Sequence, residues 1–512
     1  MSKGKTTWLT RLLARVAFER VELPLTIDIE KSLYLSGWGQ SFYGSSPPFN
    51  LLLSLEFIGT LNIGKLKDAL DELVHRHTVL RSVFHIGRDV SAEERKTAVL
   101  NFIRTRTFTP GLFRHSIMRT CAVPFAIINV ESDQKDYDSV LESLGTRAIL
   151  SAIPPDRAPL FRATLIKLTS TRHVLLMAIS HLISDALSLS IIKTELRDTY
   201  VALGTRKRAI PSDCPFQFSD FAVWQQSFLS GPASEPSIEY WRQQWSIYEQ
   251  AAAPCESMVT HPNERSRGTG KGVRVESLID ATTSRQLKAF AKSRHITPFM
   301  LFFAGLCLAV ADINSSDQVG VWVSLSSRKF RNSERSIGWY VNTHLLCVDL
   351  SECSTVGDLL SRVRNTVLSG IKHQGVPAHH IWNTSGRVPL SLGRYGSLRF
   401  EYTRCDSNLP FPLDDGADSK LHIVEKSVLR KPGIPDRTLT AKVLDNSGRS
   451  ELSIASDGNL VRDEVLHTLM DNWSVTTCKL AQSEWPASRR VFASELVPEL
   501  IRRQTEDRQL AP

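Results

Sequence analysis

The chain has 512 residues, 42% of them hydrophobic and 22% charged, with a formal net charge of +9. That length exceeds what one core usually holds, so two lobes are expected, and the composition excludes a disordered or fibrous chain. Lys and Arg are scattered rather than striped along one element, which argues against nucleic acid and leaves a basic docking face for an acidic protein as the reading of the charge.

Taken in order, the N-terminus has a basic start and apolar Trp8, Leu9, Leu12, Leu13 and Val16. Arg11 and Arg15 interrupt any signal-peptide core, so secretion is rejected, and Thr6 to about Glu19 reads as an amphipathic helix within an extension over residues 1–22. NLLLSLEFI at 50–58 reads as a strand, and Leu61 to Arg76 as a helix with Leu66, Ala69, Leu70 and Leu73 on one face. RHTVLRSVF then puts Arg76 and Arg81 at a helix-to-strand junction, while residues 88–160 read as less regular. The strand LFRATLIKL is the natural hairpin partner of RHVLLMAIS, and a helix from about Ala186 ends at Gly204. GTRKRAIPSDCP is the best linker, so one lobe is expected over 23–204, a second over 205–486 and a tail over 487–512.

The second half opens with the aromatic helices FSDFAVWQQSF and YWRQQW and a polar loop from Pro254 to Gly272. Helices Thr282–Arg294 and Pro298–Asp312 follow, then a strand ending near Arg328, a turn at IGWYVNT into another buried strand, and a closing helix from Val461 to Leu480. The longest apolar run, Phe299 to Ala311, is too short to span a bilayer and reads as a core helix. Eight cysteines without a C-x-x-C pair read as reduced thiols of a cytoplasmic protein, and no metal-ligand motif is visible.

The stretch RHVLLMAISHLISDALS, Arg172 to Ser188, organises the rest. An apolar run long enough for a strand buried on both faces delivers Ser180, His181 and Asp185 to the start of a helix. A buried imidazole is costly unless it is hydrogen-bonded, so its place at the end of that strand suggests the edge of a channel. The spacing itself is weak: His-x-x-x-Asp also occurs at His85/Asp89 and His467/Asp471, and about one match is expected by chance. Only His181 follows a core strand and precedes a helix.

Read together, RHTVLRSVF, SHLISDALS, FSDFAVW, IGWYVNT and HQGVP, in that order, resemble the motifs of the condensation domains of nonribosomal peptide synthetases, in the superfamily of chloramphenicol acetyltransferase-like enzymes. The histidine motif departs from the usual HHxxxDG, with Ser180 for the first histidine and Ala186 for the glycine, and SHxxxDxxS resembles the variant in fungal terminal domains that cyclise and release peptides. The first motif is eroded: Ile29, Glu30, Leu33 and Tyr34 stand where Ala, Gln, Leu and Trp are usual. Neither a glycine-rich adenylation motif nor a carrier-protein serine motif is present, so the chain is expected to be freestanding.

The resemblance implies an α/β (α+β) fold of two chloramphenicol acetyltransferase-like lobes forming a V-shaped pseudo-dimer with a central tunnel. It implies His181 as the catalytic base, with Asp185 held by an arginine, Arg328 first and Arg76 or Arg81 second, and Ser180 supporting the loop. Ser188, Trp339, Tyr340 and Asn342 are the expected tunnel or substrate-binding residues. No bound cofactor or metal is expected; the 4'-phosphopantetheine arm of an acyl or peptidyl carrier protein would bring the donor, and the acceptor would be carrier-bound or a free small molecule. The expectation is a cytoplasmic monomeric acyltransferase without membrane span or nucleic-acid partner. A noncatalytic carrier-docking protein and a cyclising release catalyst are the alternatives.

Overall fold

Arg172–Ser180 is the central strand of its sheet, and eight of its nine residues are buried. The computed structural model describes residues 18–35, 50–105, 110–130, 136–204, 214–251, 272–378, 380–381, 398–404, 411–413, 421–425, 439–446, 448–457 and 461–482. The expected helix from Thr6, the linker at 205–213, the loop after Pro254 and the tail beyond 486 lie outside these residues; at Phe18–Leu23 the chain is already a strand.

The described chain divides into two compact units. The first comprises residues 1–234 with two later segments, 326–341 and 408–432. Its main sheet runs Phe411–Leu413, Leu421–Glu425, Asn50–Ile58, Arg172–Ser180, Phe161–Lys167, Phe125–Asn129. Asn50–Ile58 and Phe161–Lys167 both pair antiparallel with the central strand, the latter through the turn at Ser170–Thr171. Successive side chains of a strand point to opposite faces, which is why an uninterrupted apolar run needs cover on both. One face joins the large core with Leu66, Leu70, Leu73 and Ile192; the other packs Val174, Leu176 and Ile166 under Leu141. A second, three-stranded sheet orders Phe18–Leu23, Phe113–Met118 and Ser82–Ile86.

Residues 88–160 are more regular than their sequence suggests, with helices Ala92–Thr105 and Tyr137–Leu150 and two strands. Helix Phe218–Ser230 belongs to the first unit and is tied there by its own polar residues. Asp220 accepts the Gln217 N–H at 2.9 Å to set the start, Gln217 accepts the Thr78 N–H at 3.1 Å, and Gln225 accepts the Ile27 N–H at 3.1 Å.

The second unit is built on the sheet Val341–Asp349, Gln318–Ser326, Leu398–Arg404, Leu439–Asn446, Arg449–Asp457, Gly272–Ile279. Helix Pro298–Asn314, capped by the Thr297 hydroxyl, is buried continuously from Met300 to Ala311. Trp473 of helix Asp463–Leu480 donates its indole N–H to Phe302 O at 2.9 Å. Among the described residues no single helix is long and apolar enough to cross a membrane.

Candidate active site

The histidine strand ends at Ser180, whose Oγ accepts the Leu182 N–H at 3.3 Å and caps a single 3-10 turn, His181–Ile183. Ser184 Oγ donates to Ser180 O at 3.0 Å and closes the loop from the other side. His181 is half-buried there, its imidazole 4.6 Å from the Trp339 indole between centroids, tilted at 55°. Four residues on, Asp185 stands just before helix Ala186–Gly204, and its Oδ1 accepts the Ser188 N–H at 2.9 Å as a helix cap does.

That carboxylate has two further duties. Arg328 meets it with both terminal nitrogens, Nη1 to Oδ2 at 2.6 Å and Nη2 to Oδ1 at 2.9 Å, and both side chains are buried. Two parallel charge-assisted bonds suit the planar guanidinium, which also lies 4.2 Å from the Tyr340 ring centroid. Asp185 Oδ2 in addition accepts the Tyr340 N–H at 3.1 Å. Of the three candidate arginines, Arg328 is therefore the one at Asp185.

Arg76 and Arg81 work elsewhere in the same unit. Arg76 lies 3.6 Å from Glu195, which His77 contacts at 2.7 Å. Arg81 is spent on backbone carbonyls, donating to Val74 O at 3.1 Å, to Arg119 O at 3.1 Å and to Met118 O. Both hold the helix-to-strand junction rather than the histidine loop.

Two residues expected along a substrate path are committed to the clamp instead. Ser188 is fully buried: its hydroxyl proton has Asp185 Oδ1 at 2.8 Å and Gly338 O at 2.9 Å as acceptors, while Oγ accepts from Gly338 N–H at 3.1 Å and Arg328 Nη2 at 3.0 Å. Tyr340 is also fully buried, donates to Ser336 Oγ at 2.7 Å, and has its phenol pushed up by burial. Neither has a group left to offer a substrate. Asn342 is buried on strand Val341–Asp349, in the second unit. Trp339 touches the imidazole, a contact set by tertiary register between two distant stretches of chain, with no signature in the sequence.

Among the described residues no group of three or more His, Cys, Asp or Glu side chains is arranged to hold a metal. A groove of about 450 Å³ on the second unit is lined by residues including Tyr240, Gln244, Arg362 and Asn365, and none of the candidate site residues borders it.

Residues 100–388, more than half of the chain, match the family model described as Condensation domain. Malpinin synthetase of Mortierella alpina is 27% identical over 362 residues, covering 70% of this chain and 4% of that protein. Cyclosporin synthetase of Tolypocladium inflatum is 28% identical over 335 residues, covering 65% and 2%. This chain thus spans less than a tenth of either relative's length. Among solved structures, the condensation domain from Monacolin K polyketide synthase superposes with a TM-score of 0.70 at 14% identity, over 91% of this chain and 98% of that one, a likeness of fold.

Proposed function

The chain belongs to the condensation-domain family, with its chloramphenicol acetyltransferase-like fold, and on that footing we propose that it joins a carrier-bound acyl thioester to an amine or hydroxyl acceptor. His181 is the base in this reading. Its imidazole takes the proton from the acceptor as nitrogen or oxygen attacks the thioester carbonyl. The carbon–sulfur bond then breaks, and the imidazolium returns the proton to the departing phosphopantetheine thiolate. General-base help of this kind is worth roughly two to four powers of ten in rate, and holding the two substrates in place supplies much of the remainder. The observation that carries the reading is the half-buried His181 at the end of the central strand, on a loop held by the buried Asp185–Arg328 pair.

Asp185 has no place in the proton path. Its oxygens already serve Arg328, Ser188 and Tyr340, and a carboxylate so engaged organises the loop. The partners in this reading are a carrier protein bearing the donor on its 4'-phosphopantetheine arm and a carrier-bound or free acceptor. The deciding experiment is intact-mass analysis of a panel of aminoacyl- and acyl-loaded carrier proteins incubated with amines and alcohols. Amide or ester formation is expected, reduced about 100-fold or more in His181→Ala. Undiminished turnover in that variant would take the histidine out of the mechanism. Tight carrier binding with no transfer to any acceptor would favour a docking protein.

A further inference from the structure

We propose that Trp339 is the positioning residue for the His181 imidazole, and that the Asp185 network acts on His181 through it. The bonds of Ser180 and Ser184 fix the backbone of the 3-10 turn, whereas the contact with Trp339 is made by the imidazole ring itself. Trp339 is in turn held from both sides. Before it, Gly338 exchanges two hydrogen bonds with the Ser188 hydroxyl, at 3.1 and 2.9 Å; after it, the Tyr340 N–H is bound to Asp185 Oδ2 at 3.1 Å.

Asp185 and Ser188 sit at the start of the helix that follows His181, so segment 338–340 is locked in register with the histidine's own loop. Arg328, bonded to Asp185 and Ser188 together, closes the frame. A Cβ on Gly338 would overlap the Phe218 ring, and Tyr340 packs edge-on against the same ring at 5.1 Å. The backbone on either side of Trp339 therefore has little freedom, and the half-buried indole between is presented to the imidazole. A base that must meet a proton within a narrow range of angles gains from a neighbour whose own position is over-determined. The buried clamp thus reaches the imidazole although, among its described bonds, Asp185 contacts the helix start and segment 326–341.

The structural arm of the test needs no substrate. In the full chain with isotope-labelled histidine, His181 is assigned by the peak lost in His181→Gln. Trp339→Leu is expected to move and broaden that resonance, since the indole ring current and the restraint on the imidazole both go. Trp339→Phe should keep most of the displacement. Ser188→Ala, which keeps the tryptophan but releases Gly338 and so loosens the indole, should move the peak in the same direction as Trp339→Leu. An unmoved peak in Trp339→Leu would remove the contact, and an unmoved peak in Ser188→Ala would remove the network's action through it. Should Trp339→Leu lose its cooperative thermal transition, Trp339→Met is read in its place.

The catalytic arm rests on the function proposed above and uses the aminoacyl-loaded carrier that transfers best in that screen. There kcat should fall roughly tenfold or more in Trp339→Leu, with KM within about twofold, and Trp339→Phe should recover most of the loss. Full kcat in Trp339→Leu, beside a dead His181→Ala, overturns the positioning role alone. Turnover that survives His181→Ala overturns the function and leaves the resonance test to decide the contact.

Discussion

Glu30 is a carboxyl where a neutral group would serve better. It lies on helix Ile27–Leu35, 3% exposed, and accepts the Gly111 N–H at 2.7 Å. Burial is the largest influence on it and raises its pKa to about 8, against the lowering effects of the Gly111 bond and the Arg114 charge. In the folded chain the group is therefore largely protonated at neutral pH, while in the unfolded chain it ionises above about 4.3. Between those limits unfolding releases a proton, so the stability this residue confers is whole at low pH and is lost as pH rises through 5 to 8. Glu30→Gln keeps an acceptor for Gly111 and does not titrate. Its advantage over the parent should be absent near pH 4 and grow to several kcal/mol by pH 8, as measured by urea unfolding at both values. Parent and variant curves that stay parallel across that range would mean that Glu30 is ionised in the fold. The residue type was legible as a departure from the family's usual Gln; its burial was not, because helix 27–35 carries polar residues at several positions whose facing depends on tertiary contacts. Ser188 misled for the same reason: a serine one turn into a helix reads alike whether it faces a substrate or a buried arginine.

Elements became legible where a single physical demand governed every position. Arg172–Ser180 could only be a two-face strand, and Pro298–Asn314 could only be a core helix. Ala92–Thr105 was missed because its first turns are charged and exposed, with Ala98 the buried position among its described side chains. Leu421–Glu425 is too brief, at five residues, to show alternation against chance. The packing of helices was equally invisible, and Gly305 shows what it demands. A Cβ there would meet the Thr477 side chain and come within 3.1 Å of the Thr477 Cα, so the helices Pro298–Asn314 and Asp463–Leu480 would have to move apart. Thr477 cannot easily turn aside, since its hydroxyl donates to Trp473 O at 2.8 Å. Gly357, by contrast, sits near the start of helix Val356–His373 with only Thr355 Oγ1, at 3.5 Å, near its virtual Cβ. Alanine gains about 1 kcal/mol of helix propensity at either position, and overpacking costs roughly 1–3 kcal/mol only at the first. Gly305→Ala should therefore lower the thermal midpoint and Gly357→Ala should hold or raise it. Equal midpoints for the two variants would show that the helix contact yields at no cost.

The two-lobe expectation put a clean break at residue 204, yet the first unit is assembled from three stretches of chain. Segment 326–341 brings Arg328 to Asp185 and adds Ile337 and Tyr340 to the large core, and segment 408–432 adds Leu421 and Ile423 there. Leu421–Glu425 also covers the outer side of Asn50–Ile58, pairing Val424 with Glu56 and Glu425 with Leu55. Hydrophobic pattern could not reveal this, because it reports that a face must be covered without saying by what. The consequence for folding is direct. A fragment ending at Ser234 would leave Asp185 buried with no cation opposite, a loss of about 3–5 kcal/mol, and would open the flank of a buried strand. Against net stabilities of roughly 5–15 kcal/mol for whole domains, those losses together are decisive. Residues 1–234 alone should be insoluble or lack a cooperative transition by circular dichroism, while the same segment within residues 1–482 should protect the amides of Arg172–Ser180 from exchange. The comparison also separates the clamp from the missing strand. Arg328→Met in the full chain removes the cation without removing any core segment, so a milder loss there than in the fragment would assign the difference to Leu421–Glu425 and its neighbours. A fragment that folds cooperatively, with those amides protected, would mean that the first stretch carries its own core and that the later segments are only docked upon it.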